Sequence, residues 1–222
     1  MMTDKFKIAS LNVNGINDTW KRDRTFHLLN DKELYNFDII LLQETKLSKE
    51  MSCLAEKKWF NITGGQSFFA HTERINSSGV AILLNNKLKY EEIRNLDIPI
   101  ESKAITFEIL LNNKYHRVLN TYAPNIPDLR EKFFRDLNNK YSTSIPTIWG
   151  GDFNCVENIL LDKMKTPANN ECTRGTQEIF SFKKLHKIED HYRLSQGQIK
   201  GPDFTCFKNQ NGARIDTLPP RR

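Results

Sequence analysis

Cysteine is scarce in this chain and forms no pattern. The four, Cys53, Cys155, Cys172 and Cys206, fit no paired metal-ligand spacing and no short-chain disulfide framework. A reducing compartment is the simpler setting, and zinc lacks its thiol or histidine cluster. Long apolar runs are missing too. No 18-residue apolar segment exists, so nothing is built to span a bilayer as a helix. No apolar run follows Met1 to Lys7, so no secretory leader is read. The expected setting is intracellular, nucleus or cytoplasm, and the sequons at Asn61 and Asn76 mean little without a secretory route. Hydrophobic residues reach only 38%, yet 222 residues suffice for one domain with a substantial core. Most of the chain also lacks an excess of either charge. Residues 1–159 hold 21 basic and 20 acidic side chains, whereas residues 160–222 hold 12 and 7. That later third suits a polyanion or, equally, a solvated basic surface.

What the chain does have is a repeated design, in which apolar strands end in polar groups. Thr147, Ile148 and Trp149 suit a covered strand, and Gly150-Gly151 permits a tight bend or a close backbone approach. Asp152 and Asn154 follow, two apart. In extended geometry they face the same way, with Phe153 turned inward; the same residues also fit an Asx turn after a core strand. Phe6 to Val13 ends at Asn12 and Asn14, Phe37 to Leu42 at Gln43 and Glu44, and Tyr115 to Thr121 at Tyr122. Four such ends suggest a site at the rim of packed sheets.

The remaining elements follow from periodicity and turn residues. Helices are expected over 20–34, where Leu28, Leu29 and Leu34 can face a sheet, over 47–58, over about 128–141 with Asp128 as cap, and over 176–185. Trp59-Phe60 and Phe68-Phe69-Ala70 read as strand cores around Gly64-Gly65. Residues 80–84, 88–94 and 103–111 read as strands, and Asn112-Asn113-Lys114 as a hairpin turn into 115–122. A further strand is expected over 203–207 and another beginning at Gly212. A purely parallel α/β fold needs no such hairpin, so the expected fold is an α/β sandwich of two mixed sheets with helices on its outer faces.

A carboxylate at the end of a covered strand is costly if buried alone, so Glu44 is surface, paired or metal-bound. With a neutral oxygen from Asn12 and waters it suits Mg²⁺ or Mn²⁺. Such an ion polarises a phosphate oxygen. Asp152 can orient or deprotonate water, while Asn154, Tyr122 and the turn residue Asn14 are candidates to bind phosphate. Lys21, Arg22 and Arg24 form a basic edge on the first helix that can approach nucleic-acid phosphates, though a solvated face reads the same way. Taken singly, each of these residues also has an ordinary structural role.

Taken together they resemble a family. Leu11-Asn12-Val13-Asn14-Gly15, Gln43-Glu44-Thr45-Lys46, Ser78-Gly79-Val80-Ala81-Ile82, Asn120-Thr121-Tyr122-Ala123-Pro124-Asn125, Gly151-Asp152-Phe153-Asn154 and Arg214-Ile215-Asp216 resemble, in order, the motifs of the endonuclease/exonuclease/phosphatase family over roughly residues 5–217. The branch most similar is the endonuclease domain of non-LTR (LINE-type) retrotransposons; apurinic/apyrimidinic endonucleases share the core. The resemblance implies a four-layered α/β sandwich that cleaves a DNA phosphodiester with Mg²⁺. Glu44 would hold the ion with Asn12 nearby, and Tyr122 would contact the scissile phosphate. Asp152 would activate water, Asn154 would bind phosphate, and Asp216 would orient a catalytic histidine. In that branch the nick primes reverse transcription by a covalently linked domain. A monomer is expected. A phosphatase acting on small phosphoesters is an alternative within the same superfamily.

The chain departs from the family at its end. After Arg-Ile-Asp the family carries another strand and a Ser-Asp-His motif; here six residues follow Asp216, and His27, His71, His116, His186 and His191 all come earlier. The expectation is a family domain over 1–217 lacking its last strands, with a sheet edge left unpaired, and a non-family basic tail over 218–222, as from a truncated or frame-shifted copy. Losing a general acid–base group costs on the order of 10²–10⁴ in rate. Cleavage is therefore expected to be weak or absent, and the alternative is a non-catalytic nucleic-acid-binding remnant.

Overall fold

The computed structural model describes residues 6–33, 37–71, 78–100, 102–158, 162, 171–189, 206–208, 211–213 and 216–217; for residue 171 and the last three segments it describes the backbone alone. The expected tail 218–222, Thr205, Arg214, Ile215, His191 and the sequon at Asn76 with Ser77 lie outside or partly outside these residues.

Two sheets make the centre. The first holds β1 (Ile8–Asn12), β2 (Ile39–Gln43), β3 (Ser67–Ala70) and β4 (Val80–Leu84) in the order β1-β2-β4-β3. The second holds β5 (Ile93–Asp97), β6 (Ala104–Leu111), β7 (Lys114–Tyr122), β8 (Thr147–Asp152) and the two-residue β11 (Asp216–Thr217), in the order β11-β8-β7-β6-β5. β9 (Cys206–Lys208) and β10 (Asn211–Ala213) pair as a separate antiparallel ribbon. Both sheets are mixed: β1 runs parallel to β2 and β7 to β8, and the other pairs are antiparallel. β11 pairs antiparallel with β8 at Asp152 and Gly151, so β8 is not the edge strand of the described sheet.

The sequence of β2 shows why the layers stack. All five residues are buried, as an unbroken apolar run demands when both faces are covered. Ile40 and Leu42 pack with Phe26, Leu29, Ala55 and Trp59 from helices α1 (Thr19–Leu29) and α2 (Lys49–Thr63). Ile39 and Leu41 face Ile105, Phe107, Ile109 and Val118 of the second sheet. The far side of that sheet, with Leu119 and Trp149, is covered by Phe133, Phe134, Leu137, Ile179 and Phe182 from α3 (Pro127–Lys140) and α4 (Thr176–His186). The result is the four-layered α/β sandwich expected. No helix among the described residues is long and apolar enough to cross a membrane.

Several local expectations need correction. Trp59-Phe60 is not strand. The buried positions Ser52, Ala55, Trp59 and Thr63 recur at helical spacing, so Trp59 closes the inner face of α2 while Phe60 points outward. α1 stops at Leu29, and Phe26 rather than the exposed Leu28 meets the sheet. α3 starts with Pro127 in its first turn and Ile126 as the capping position, so Asp128 is not the cap. Leu88 to Glu92 precede β5, whose pairing with β6 shifts register between Arg94 and Asp97.

Candidate active site

The two parallel pairs bring four strand ends to one rim. On the first sheet Asn12 stands opposite Gln43, with Glu44 next in the chain. On the second, Tyr122 stands opposite Asp152, and Asp216 is the antiparallel partner of Asp152 on its other side. The sheets are joined beneath by buried amides. Asn120 Nδ2 donates to the carbonyls of Leu42 and Ala81, both at 2.8 Å, and Asn120 Oδ1 accepts from Gln43 Nε2 at 2.7 Å. Val118, Asn120 and Tyr122 share one face of β7, so this strut fixes the strand that presents Tyr122.

At the rim a single amide spans both sheets. Asn12 Nδ2 lies 2.8 Å from Glu44 Oε1 and 3.1 Å from Asp152 Oδ2. Asn12 Oδ1 accepts from the Asn14 backbone N–H at 3.0 Å. Lys46 Nζ lies 3.2 Å from Glu44 Oε2 and donates to Asn14 Oδ1 at 2.6 Å. The Tyr122 hydroxyl also hydrogen-bonds Glu44.

The two carboxyls sit in different electrostatic environments. Burial raises Glu44, but hydrogen bonds from Asn12, Lys46 and Tyr122 and the Lys46 charge outweigh it and hold the group below the usual range. Burial also raises Asp152; bonds from Asn12 and the Asn154 N–H only partly offset this, the Glu44 charge adds to it, and the net shift is upward. Burial and the neighbouring Glu44 and Asp152 charges push the Tyr122 phenol upward, so it remains a donor at neutral pH.

The backbone around these groups is unusual. Asn14, Glu44, Lys46, Ser78, Ser102 and Asn154 all have φ between 45° and 53° or, for Lys46, 56°, a region that non-glycine residues seldom enter. A lattice of backbone bonds holds them: Gly15 N to Glu44 O, Ile16 N to Thr45 O, Thr45 N to Gly79 O, Lys46 N to Ser78 O and Gly79 N to Ser102 O. Gly79 is fixed by this packing, because at φ 89° a Cβ would stand 2.4 Å from Thr45 Oγ1.

Asn12, Glu44, Tyr122 and Asp152 are thus brought together, and Asn14 joins them through Lys46. Of the two readings of this stretch, Asn154 takes the turn rather than the extended one. It closes an Asx turn, its N–H bonding Asp152 Oδ1 at 3.0 Å and its Nδ2 bonding the Ala123 carbonyl at 2.8 Å. One amide hydrogen of Asn154 remains beyond the Ala123 bond. Asn12 offers Glu44 its nitrogen, not the oxygen expected of a metal ligand. Of the basic edge, Arg24 is exposed, but Arg22 is buried beside Asp23 at 3.9 Å and does not reach solvent as a phosphate contact would. Lys21 turns inward to the carbonyls of Val13 and Asn14 at 3.0 and 2.9 Å. Asp162 is buried and accepts from the Asn158 N–H. His186 is buried against the Tyr141 and Ile145 carbonyls, far along the chain from any rim residue.

Two rim cations escaped the sequence reading. Lys46 appeared there only within a motif, and Lys103 not at all. Lys103 is half-buried, its Nζ lies 5.1 Å from the Tyr122 ring centroid, and its backbone carbonyl accepts from the Tyr122 N–H. Burial lowers its pKa although the Glu44 charge works the other way. A lysine just ahead of a strand carries no signal in the sequence alone.

Among the described residues no group of three His, Cys, Asp or Glu forms a cage for a metal. A hard ion that keeps several waters needs one or two carboxylates and a substrate phosphate. Glu44, ionised and at the rim, fits that requirement.

Comparison with solved structures gives the same architecture. An AP endonuclease from Archaeoglobus fulgidus superposes with a TM-score of 0.73 at 18% identity, covering 96% of this chain and 86% of that one. The Xenopus laevis APE2 catalytic domain gives 0.72 at 20%, covering 98% and 82%. A 3′-5′ exonuclease (NExo) from Neisseria meningitidis gives 0.68 at 19%, covering 98% and 87%. At these identities the likeness is one of fold. Residues 9–217 match the sequence profile of the Endonuclease/Exonuclease/phosphatase family, and the chain belongs to that family.

Proposed function

We propose that this protein is a Mg²⁺-dependent DNA endonuclease, of the kind that nicks target DNA for non-LTR retrotransposons. The observation that carries the reading is the Asn12 amide held between two carboxyls of opposite character, Glu44 lowered and Asp152 raised. Titratable neighbours whose environments push them apart mark an acid–base division of labour. The AP endonuclease and exonuclease names of the structural relatives support a nucleic-acid substrate. The Leu11 to Arg24 run, with its Lys21-Arg22-Asp23-Arg24, and the Tyr122-Ala123-Pro124-Asn125 run support the retrotransposon branch.

Glu44 would hold the ion, which when bound would draw negative charge from a phosphate oxygen. Asp152 accepts a proton from the attacking water, and burial makes it a stronger base than a free carboxylate. The remaining N–H of Asn154 faces the charge that develops on the phosphate oxygens, and the Tyr122 hydroxyl, whose one proton rests on Glu44, turns to that charge as it leaves the carboxylate. The Lys46 and Lys103 charges lie beside Glu44 and favour an anion at the rim. Asp216, level with Asp152 on β11, belongs to the same catalytic unit.

The test is nicking of supercoiled plasmid by the purified chain, with and without Mg²⁺, beside Glu44→Ala. Metal-dependent nicking that is lost in the variant supports the reading and goes against the weak or absent cleavage expected from the sequence. An intact plasmid with a protein that melts cooperatively refutes the endonuclease reading; if that protein still binds DNA, it is a non-catalytic binder. Hydrolysis of a small phosphoester that duplex DNA fails to compete against points to a phosphatase instead.

A further inference from the structure

Trp20 opens α1 with its side chain 68% exposed, the most exposed of the large apolar side chains described. Single exposed apolar residues are ordinary, and Phe60 on α2 is one of them. Trp20 differs in two respects. Arg24, one turn further on, stands with Cζ 5.2 Å from the indole centroid, so a cation steadies one face of the ring and the other remains open. Its neighbour Lys21 also ties this turn to the rim: Lys21 Nζ binds the Val13 and Asn14 carbonyls, Asn14 Oδ1 binds Lys46 Nζ, and Lys46 pairs with Glu44. The indole is therefore one residue away from an unbroken series of contacts that ends on Glu44. Arg24 supplies positive charge at the indole itself, while the acids on the same turns are engaged, Asp18 by the Lys21 N–H and Asp23 by Lys58.

An aromatic platform in a cationic setting holds nucleic acid by stacking, without reading sequence. We propose that Trp20 is a stacking platform for an unpaired nucleobase on the DNA strand that enters the rim, with Arg24 holding the indole in place. This rests on the nuclease reading above. It makes the protein favour sites whose bases near the scissile phosphate are mispaired, frayed or gapped, because those bases leave the duplex stack at least cost.

The chain reports on this itself. It has three tryptophans, and Trp59 and Trp149 are buried, so acrylamide reaches the fluorescence of Trp20 alone. The full chain is titrated with a short single-stranded DNA in EDTA, where no cleavage is needed. The DNA is expected to quench the acrylamide-accessible emission and shield it from acrylamide, and Trp20→Phe keeps the buried emission but loses this signal. Trp20→Ala weakens binding on the order of 10-fold, and Phe60→Ala binds as the parent does. Removing one base at a time gives one abasic position that weakens the parent but not Trp20→Ala. Equal binding by Trp20→Ala, or abasic losses that add at every position, overturns the platform. Plasmid nicking that persists alongside such a result leaves the nuclease reading standing. Quenching without nicking keeps the platform and removes the nuclease.

Discussion

Asn120 is the side chain on which the relation between the two sheets can be tested most directly. It is fully buried, donates to carbonyls on two strands of the first sheet and accepts from Gln43. Asn120→Ala takes one of two bonds from each of the Leu42 and Ala81 carbonyls, which stand opposite each other in the β2–β4 ladder. Gln43 suffers less, because its Nε2 also reaches the Leu41 carbonyl and Ser10 Oγ, both at 3.1 Å. With two hydrogen bonds lost at ~0.5–1.5 kcal/mol each, and a small void, the loss comes to about 2–3 kcal/mol. That is a large share of a domain's stability of about 5–15 kcal/mol. Asn120→Asp keeps the volume but aims a carboxylate at two carbonyls. Its folded-state pKa must rise above the unfolded value, as burial and facing acceptors both disfavour the charge. The sign then follows: the penalty is full at neutral pH and is relieved as pH falls through the raised folded value, while the Asn120→Ala loss does not depend on this titration. Urea unfolding of both variants at several pH values measures this. A loss in Asn120→Asp below ~1 kcal/mol, or one that stays flat as pH falls, refutes the strut.

Two further outcomes follow from the rim. Gly151 has φ 147°, and a Cβ there would stand 2.0 Å from the Thr121 carbonyl oxygen, so Gly151→Ala forces β7 and β8 apart; a loss of ~3 kcal/mol or more, seen as a melt lowered by roughly 6–12 °C, is expected, and a parent-like melt refutes it. Because Asp152 must be ionised to take a proton and is raised by burial, kcat/KM should fall on acidification at a pH above the usual carboxylate range of about 4, while the lowered Glu44 is still charged. An acid limb at or below that range in a protein that stays folded refutes the assignment; the limb belongs to the coupled pair rather than to either group.

The layered fold was legible because its signals are local and repeated. β2 announced its two covered faces by an unbroken apolar run, and β6 and β7 announced their hairpin by Asn112-Asn113. Trp59 misled because a bulky aromatic beside Phe60 fits either period, and only the wider spacing from Ser52 to Thr63 decides for helix. Arg22 misled for a related reason: four consecutive charged residues on a helix cannot all face solvent, and the sequence does not say which one turns in. The rim residues Asn12, Glu44, Tyr122 and Asp152 were legible as strand ends. Their mutual contacts were not, because Asn12 and Asp152 lie 140 positions apart. Nor was the role of Asn120, since an asparagine within a strand looks like a weak point until two other strands are found to need its donors.

The backbone at the rim explains why this site needs the whole sandwich. Glu44 and Lys46 sit at φ 52° and 56°, each at a cost of roughly 1 kcal/mol or more, and no local sequence preference pulls them there. What holds them lies on other strands: the Gly15 and Ile16 N–H groups from the end of β1, the Gly79 and Ser78 carbonyls before β4, and Ser102, which accepts from Gly79 just ahead of β6. Residues from both sheets therefore fix the direction of the Glu44 carboxylate. The sheets can do this only while their separation is constant, and the Asn120–Gln43 bridge sets that separation directly below. A site assembled on one sheet could tolerate sliding of the other; here a shift between layers would part Asn12 from Asp152 and leave Asp152 buried without its amide partner. The carboxyl pair and the inter-sheet strut are thus one mechanical unit, and damage to the strut should appear in the acid limb of Asp152 as well as in the melt.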